Sequence, residues 1–353
     1  MFYLKDFRNY IFNFGAFLRN KVIMTNLKLV ILVLITITIF ACESDPVEPT
    51  VENIVWEPVG SLPSECIVKG ITFVNNGNIW LSSYSHSENK TSFYLSTNNG
   101  DTWVKKNNTP LYTDDYSTFI TVNPINGYLF AANYGGLYRL TDNSENWENI
   151  IDWENIIDSV HIIGIIFEPS GEMYIGYSKL YGENIFYYSN DNGNTWVDKS
   201  NGLPNSFWLT ALGKDGTLYA NSNEGVYHST DKGTTWLPSS NYNNWLYSLT
   251  TCDDGSIFGA VVNVGIVKST DKGVNWTRVN NTSSLFEVIY NSVTKDIFAK
   301  SVDGGSIYRS DNLGEDWKLV SQQNVGNLSV NPKTGQMFAV TNTSVYRTKN
   351  YPK

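Results

Sequence analysis

The sequence predicts an all-β fold: seven four-stranded repeats forming a ring, closed by an outer strand from the N-terminal side. Three observations carry this. An eight-residue motif recurs, as STNNGDTW from Ser96, SNDNGNTW from Ser189, STDKGTTW from Ser229 and STDKGVNW from Ser269, with looser copies LTDNSENW from Leu140 and SDNLGEDW from Ser310. The copies start at 96, 140, 189, 229, 269 and 310, in steps of 44, 49, 40, 40 and 41 residues, a period that marks stacked supersecondary units. Short β-type runs flank each copy, such as Gly225-Val226-Tyr227-His228 before and Trp236-Leu237-Pro238 after. The composition agrees: 14 % aromatic residues, 27 Gly and only 17 % charged residues suit sheets better than helices.

Placed between two strands, the motif is a hairpin turn. Its Ser hydroxyl and its Asp or Asn side chain can bond backbone N–H groups inside the turn, and its Gly supplies a positive φ. Its Trp starts the outgoing strand and can bury a large ring between neighbouring sheets. The pattern resembles the Asp-box, or BNR repeat, of β-propellers, and the resemblance spans nearly everything after residue 50. It implies a propeller in which the box residues are structural: Ser96, Gly100 and Trp103; Asp142 and Trp147; Ser189, Asp191, Gly193 and Trp196; Ser229, Asp231, Gly233 and Trp236; Ser269, Asp271, Gly273 and Trp276; Ser310, Gly314 and Trp317. Asp231 is expected to clamp a turn and not to act as a catalytic acid.

Residues 1–41 read as a leader and signal peptide. Met24 to Lys28 is a short basic start, and Leu29 to Phe40 is a mostly apolar run of 12 residues, the length of a signal core and short for a membrane span. The segment from Met24 is a complete signal, so Met24 is the expected start. The run ends Ile39-Phe40-Ala41-Cys42, which resembles the lipobox of bacterial lipoproteins, with Phe40 bulkier than usual for its place. The resemblance implies lipidation of Cys42 and a location in the bacterial cell envelope, at the outer membrane or cell surface. Residues 42–52 then form an acidic, Pro-containing tether. A net charge of −9 argues against a nucleic-acid partner, and membrane contact is expected through the lipid alone.

Residues 53–350 supply the blades. Blade five shows the unit: Leu246 to Thr250 as inner strand, an Asp254-Gly255 turn, Ser256 to Val261 as second strand, Gly265 to Lys268 as third, then the box and Trp276 to Val279 as outermost. The other inner strands begin near Gly70, Thr118, Ile162, Trp208, Phe286 and Gly326. The last third strand, Ser344 to Arg347, has no box after it, whereas Asn53 to Pro58 carries a box-like Trp56 with no box before it. The expectation is that these two segments pair and close the ring, which removes a sheet edge.

Box turns should lie on one face, with interblade loops and second-to-third turns on the other, where a ligand is expected. That second face carries aromatics outside the repeat pattern: Tyr112 and Tyr116 flanking Asp114-Asp115, Trp153, Tyr177 and Tyr181, and Trp208, Trp245 and Tyr247. Exposed aromatics beside carboxylates and Asn suit sugar rings or a polypeptide; the alternative is that they pack the loops together.

Catalysis has weaker support. Sialidases share the Asp-box but gather an arginine cluster on the substrate, and here Arg139, Arg309 and Arg347 share one pre-box position in separate blades while Arg278 is on an outer strand. Xyloglucanase-type hydrolases use two carboxylates across a cleft; the candidates here are Asp114, Asp115, Glu183, Glu224 and Asp303, and a working pair needs a separation of about 5–10 Å. His86, His161 and His228 show no ligand spacing, so no metal or cofactor is expected. Cys66 and Cys252 read as buried, inert thiols. The Asp-boxes, the blade count and the Gly202-Leu203-Pro204 and Ser61-Leu62-Pro63 loops are similar to photosystem II assembly-factor-like propellers, with sortilin-type propellers more distant. That resemblance implies a monomeric, non-enzymatic scaffold binding a protein or a glycan; the second reading is a glycoside hydrolase.

Overall fold

The computed structural model describes residues 53–62, 66–106, 119–133, 136–141, 146–152, 160–179, 183–239, 241–282, 284–302 and 305–351. Among the expected site residues, Cys42, Tyr112, Asp114, Asp115, Tyr116, Asp142, Trp153, Tyr181 and Asp303 lie outside these ranges.

The fold is a seven-bladed, all-β propeller of four-stranded antiparallel sheets. From inner to outer strand, blade 4 is Phe207–Leu212, Leu218–Ser222, Gly225–Ser229 and Leu237–Pro238, and blade 5 is Ser248–Thr251, Ile257–Val261, Gly265–Ser269 and Thr277–Asn280. Blade 6 is Leu285–Asn291, Asp296–Ser301, Ile307–Ser310 and Lys318–Ser321. Each outer strand leads into the inner strand of the next blade.

Burial explains the patterning. The second strands are sandwiched between neighbouring blades, so Leu218–Ser222, Ile257–Val261 and Asp296–Ser301 are buried at every position, and their polar residues Asn221, Asp296 and Lys300 are bonded within the interior. The core consists of interblade layers. One joins Ile163, Tyr174 and Phe186 of blade 3 to Phe207, Leu218, Ala220 and Trp236 of blade 4. In every blade an aromatic residue follows the first apolar residue of the second strand (Trp80, Phe130, Tyr174, Tyr219, Phe258, Phe298 and Phe338), and several of these rings sit beneath the next blade's box. At Gly314 a Cβ would lie 2.6 Å from the Phe258 ring, and φ there is +85°. The glycine is therefore required by both sterics and backbone.

The boxes fold alike. In blade 4 the Ser229 hydroxyl accepts the Gly233 N–H (2.8 Å) and donates to Asp231 Oδ1 (2.9 Å), which also accepts the Thr235 N–H (2.8 Å). The same three bonds recur in the boxes from Ser96, Ser189, Ser269 and Ser310, with Asn98 and Asn312 replacing the Asp in two of them. The residue before each Gly is also left-handed, including Lys232, Lys272 and Leu313 (φ 56°, 61° and 55°), so the network overrides a backbone preference worth about 1–2 kcal/mol.

Ring closure runs as expected and contains more than expected. Trp56–Pro58 pairs antiparallel with Val345–Thr348, in register Trp56↔Thr348. Thr348 follows Val345-Tyr346-Arg347 as Ser310 follows Ile307-Tyr308-Arg309. Two residues on, Asn350 Oδ1 accepts the N–H of Val55 at 2.8 Å, the bond that Asp231 makes with Thr235, and Trp56 is buried like Trp236. The seventh box is therefore present but split, its first half at the C-terminal end and its Trp at the N-terminal end. Asn350 Nδ2 donates to the Asn53 carbonyl and Lys349 N to the Val55 carbonyl, completing the join. Tyr351 continues the lock: it is buried, its ring faces Phe298 and Arg309, and its hydroxyl bonds Asp296.

Candidate ligand-binding face

The two ends of the propeller differ in chemistry. On the box face, ionic braces join the boxes of blades 4 and 5 to the preceding blade's first turn. Lys232 Nζ lies 2.5 Å from Glu172 Oε2 and 3.8 Å from Glu168 Oε2, and Lys272 Nζ lies 2.7 Å from Asp215 Oδ2. Lys232, together with the Tyr188 hydroxyl, holds the Glu172 carboxyl down at about 2. Thr235, through its N–H and hydroxyl, does the same for Asp231, also at about 2. Asp231 thus stays ionised and bonded within its turn, consistent with a clamp.

The pre-box arginines also serve the ring. Arg139 donates to the Asn192 carbonyl (2.7 Å) in the next blade's box and pairs with Glu148 (2.6 Å). Arg347 does the same with the Asn99 carbonyl (2.9 Å), Asp101 and Glu57, and Arg309 pairs with Asp296. They do not converge, as their shared repeat position required. His228 takes this position in blade 4, and burial lowers its pKa.

The opposite face gathers three predicted aromatics. Trp208 and Trp245 meet edge to face with centroids 4.5 Å apart, and beside them Tyr247 is 59 % exposed; Trp208 is 39 % exposed and Trp245 half-buried. Buried amides hold them in place. Asn184 Nδ2 donates to the Phe207 carbonyl (2.8 Å), just before Trp208. Asn221, paired directly with Trp208 in the sheet, clamps the residue between Trp245 and Tyr247: its Nδ2 donates to the Leu246 carbonyl (2.5 Å) and its Oδ1 accepts the Leu246 N–H (3.2 Å). The Leu246 side chain fills the space over Gly259, where a Cβ would sit 2.8 Å from its Cδ1. Aromatic rings fixed in this way lose little freedom on binding.

Phe286 belongs to the same set and was not singled out from sequence. Counting back four residues from the inner-strand partner of Leu218, Ile257 and Ile297 gives Trp208, Tyr247 and Phe286 in blades 4, 5 and 6, and from the partner of Ile79, Leu129, Met173 and Met337 gives Lys69, Thr118, Ile163 and Gly326 elsewhere. Each of the three aromatics follows a buried residue, Phe207, Leu246 or Leu285. The repeat alignment was the signal that could have found Phe286. Lys300 Nζ stands 5.1 Å from its ring centroid, 2.9 Å from Glu287 Oε2 and bonded to the Gly326 carbonyl. Burial pushes the Glu287 carboxyl up in pKa, with Lys300 opposing it. Lys300 is buried and Glu287 half-buried, and the pair binds blade 6 to blade 7, because Glu287 Oε1 also accepts the Leu328 N–H.

Of the remaining predicted residues, Tyr177 is buried and stacked on Tyr187, so it packs rather than presents a surface. Glu183 is exposed at the Asn184 turn. Glu224 is exposed and accepts a hydrogen bond from the Tyr227 hydroxyl (3.1 Å). Among the described residues no group of three His, Cys, Asp or Glu side chains is placed to hold a metal ion. Cys66 and Cys252 are free and buried, and burial drives the Cys252 thiol up to about 12, which makes it inert.

No known protein family matches the chain, and no curated protein sequence matches it. Solved structures do match in fold. YCF48 bound to D1 peptide aligns at TM-score 0.62 and 16 % identity, over 83 % of this chain and 96 % of that one. A catalytically inactive virginiamycin B lyase from Staphylococcus aureus, solved with quinupristin, aligns at 0.63 and 13 %, over 83 % and 98 %. An ancestral GH74 enzyme aligns at 0.62 and 16 %, over 84 % of this chain and 46 % of its own. These proteins include binders and enzymes, so the shared fold does not decide the activity.

Proposed function

We propose that this protein is a lipid-anchored binding propeller of a bacterial cell envelope, which engages an extended polymer on the face opposite its boxes. The observation that carries this reading is the Trp208–Trp245–Tyr247 group, with Trp208 and Tyr247 left exposed on backbone held by buried amides and by Leu246 packed over Gly259. Exposed, preorganised aromatics are the side chains that dominate binding energy at recognition surfaces. Lipidation at Cys42 rests on the signal and lipobox pattern.

Two experiments test the reading. The Trp208→Ala/Tyr247→Ala double variant, with an unchanged melt, should lose retention on an envelope preparation that holds the wild type; equal retention would remove the aromatic face from the account. Cys42→Ser should shift the protein from the membrane to the soluble fraction, and continued membrane association would refute the anchor.

A further inference from the structure

We infer that the polymer is a neutral polysaccharide, lying across blades 4 to 6. This rests on the binding reading above and narrows it to a ligand class.

Four top-face segments of these blades, Ser200 to Trp208, Ser239 to Thr251, Val261 to Val267 and Asn280 to Phe286, contain no Asp, Glu, Lys or Arg, and they hold Trp208, Trp245, Tyr247 and Phe286. The box-face turns of the same blades hold Lys214-Asp215, Asp231-Lys232, Asp253-Asp254, Asp271-Lys272 and Lys295-Asp296. The asymmetry is thus local to a face and is not a property of the chain as a whole. The other carboxylates are Glu183, exposed at the Asn184 turn, and Glu224, exposed and engaged by Tyr227 between the second and third strands of blade 4; Asp303 lies outside the described residues, and buried Lys300 is paired with half-buried Glu287.

In place of charge, the segments offer amides and hydroxyls. Asn205, Asn243 and Asn244 are exposed around the Trp208–Trp245 pair, and Asn281 and Ser284 are exposed before Phe286. An amide both donates and accepts, which matches the paired donors and acceptors of sugar hydroxyls. The apolar faces of pyranose rings stack on Trp, Tyr and Phe, whose polar tips remain wet. An acidic polypeptide or a uronate-bearing glycan would find no cation in these segments. The placement of Trp208, Tyr247 and Phe286 on three successive blades suits a chain with repeating rings better than a single small molecule.

The test uses intrinsic tryptophan fluorescence and calorimetry with neutral hexo-oligosaccharides of two to eight units, oligogalacturonates of the same lengths and an array of unmodified peptides. The inference expects at least one neutral series to bind, with affinity rising with length and unchanged between 50 mM and 500 mM NaCl. It expects Trp208→Ala and Tyr247→Ala each to weaken binding by about tenfold or more. Asn221→Ala, a positioning change, should weaken it while Phe286→Ala shortens the preferred length. Binding of peptides or oligogalacturonates in preference to every neutral glycan, still lost on Trp208→Ala, would overturn this inference and leave the binding reading intact. Glycan binding indifferent to Trp208 and Tyr247 would overturn both, as would no binding of any probe by a wild type that also fails to be retained on envelope. Retention on envelope with no binding of any neutral glycan would overturn the inference alone.

Discussion

The box face and the aromatic face are built from the same repeats and have opposite economies of side chains. On the box face nearly every polar group is spoken for: Ser229, Asp231 and Thr235 bond one another, and Lys232 reaches back to Glu172. On the aromatic face, Asn184 and Asn221 are buried in support while Trp208 and Tyr247 stand in solvent. A repeat protein can fix its fold at one end of each blade and leave the other end free to vary. The same residue type shows the division. Trp236 is 5 % exposed and donates to the Lys199 carbonyl, whereas Trp208, a few strands away, is 39 % exposed.

Changes at the closure should have the largest effect. Deleting Asn53 to Pro58 removes a strand and half of the seventh box, and should abolish folding or lower the melting temperature by more than any point change; an unchanged melt would dismiss the split box. Trp56→Ala at the same place should cost about 3–5 kcal/mol, the range for a buried aromatic, read from denaturant unfolding. Gly314→Ala comes next, at about 1–3 kcal/mol, because its Cβ meets Phe258 in a left-handed backbone. If Gly314→Ala melts like the wild type, the boxes are not the rigid elements described.

Acid sharpens the contrast. Glu172 and Asp231 are both held near 2, below their unfolded values of 4.5 and 3.8. A depressed carboxylate contributes stability that is present above its unfolded pKa and is lost as pH falls through the folded one. The melting temperature should therefore decline from about pH 4.5 down to about pH 2. Glu172→Gln should flatten part of that decline, and a profile level across this window would contradict the role of the braces. The smallest stability effect is expected at Trp208→Ala, within about 1 kcal/mol, since its ring is already partly in water. A loss there equal to that of Trp236→Ala would erase the difference between the faces.

Much of this was legible in the sequence because repetition makes structural residues visible. The boxes fixed the blade period, and the orphan Trp56 pointed to closure. The split box was not legible: Asn350 and Val55 are 295 residues apart, and Thr348 stands where other blades have Ser. Nor was the left-handed backbone at Lys232, Lys272 and Leu313, since neither residue type favours it. On the aromatic face, Trp208, Trp245 and Tyr247 were found as exceptions to the repeat, but Phe286 passed as an ordinary strand residue. Asn184 and Asn221 could not be separated from other surface-type amides, because only tertiary packing buries them.

The division of labour between the faces can be tested by oxidative footprinting of tryptophan, with the protein free and then bound to the envelope fraction that retains it. Binding should protect Trp208 and Trp245 while leaving the box residues Trp103, Trp196, Trp236, Trp276 and Trp317 as reactive as before. Protection confined to the box tryptophans, with Trp208 unchanged, would contradict it.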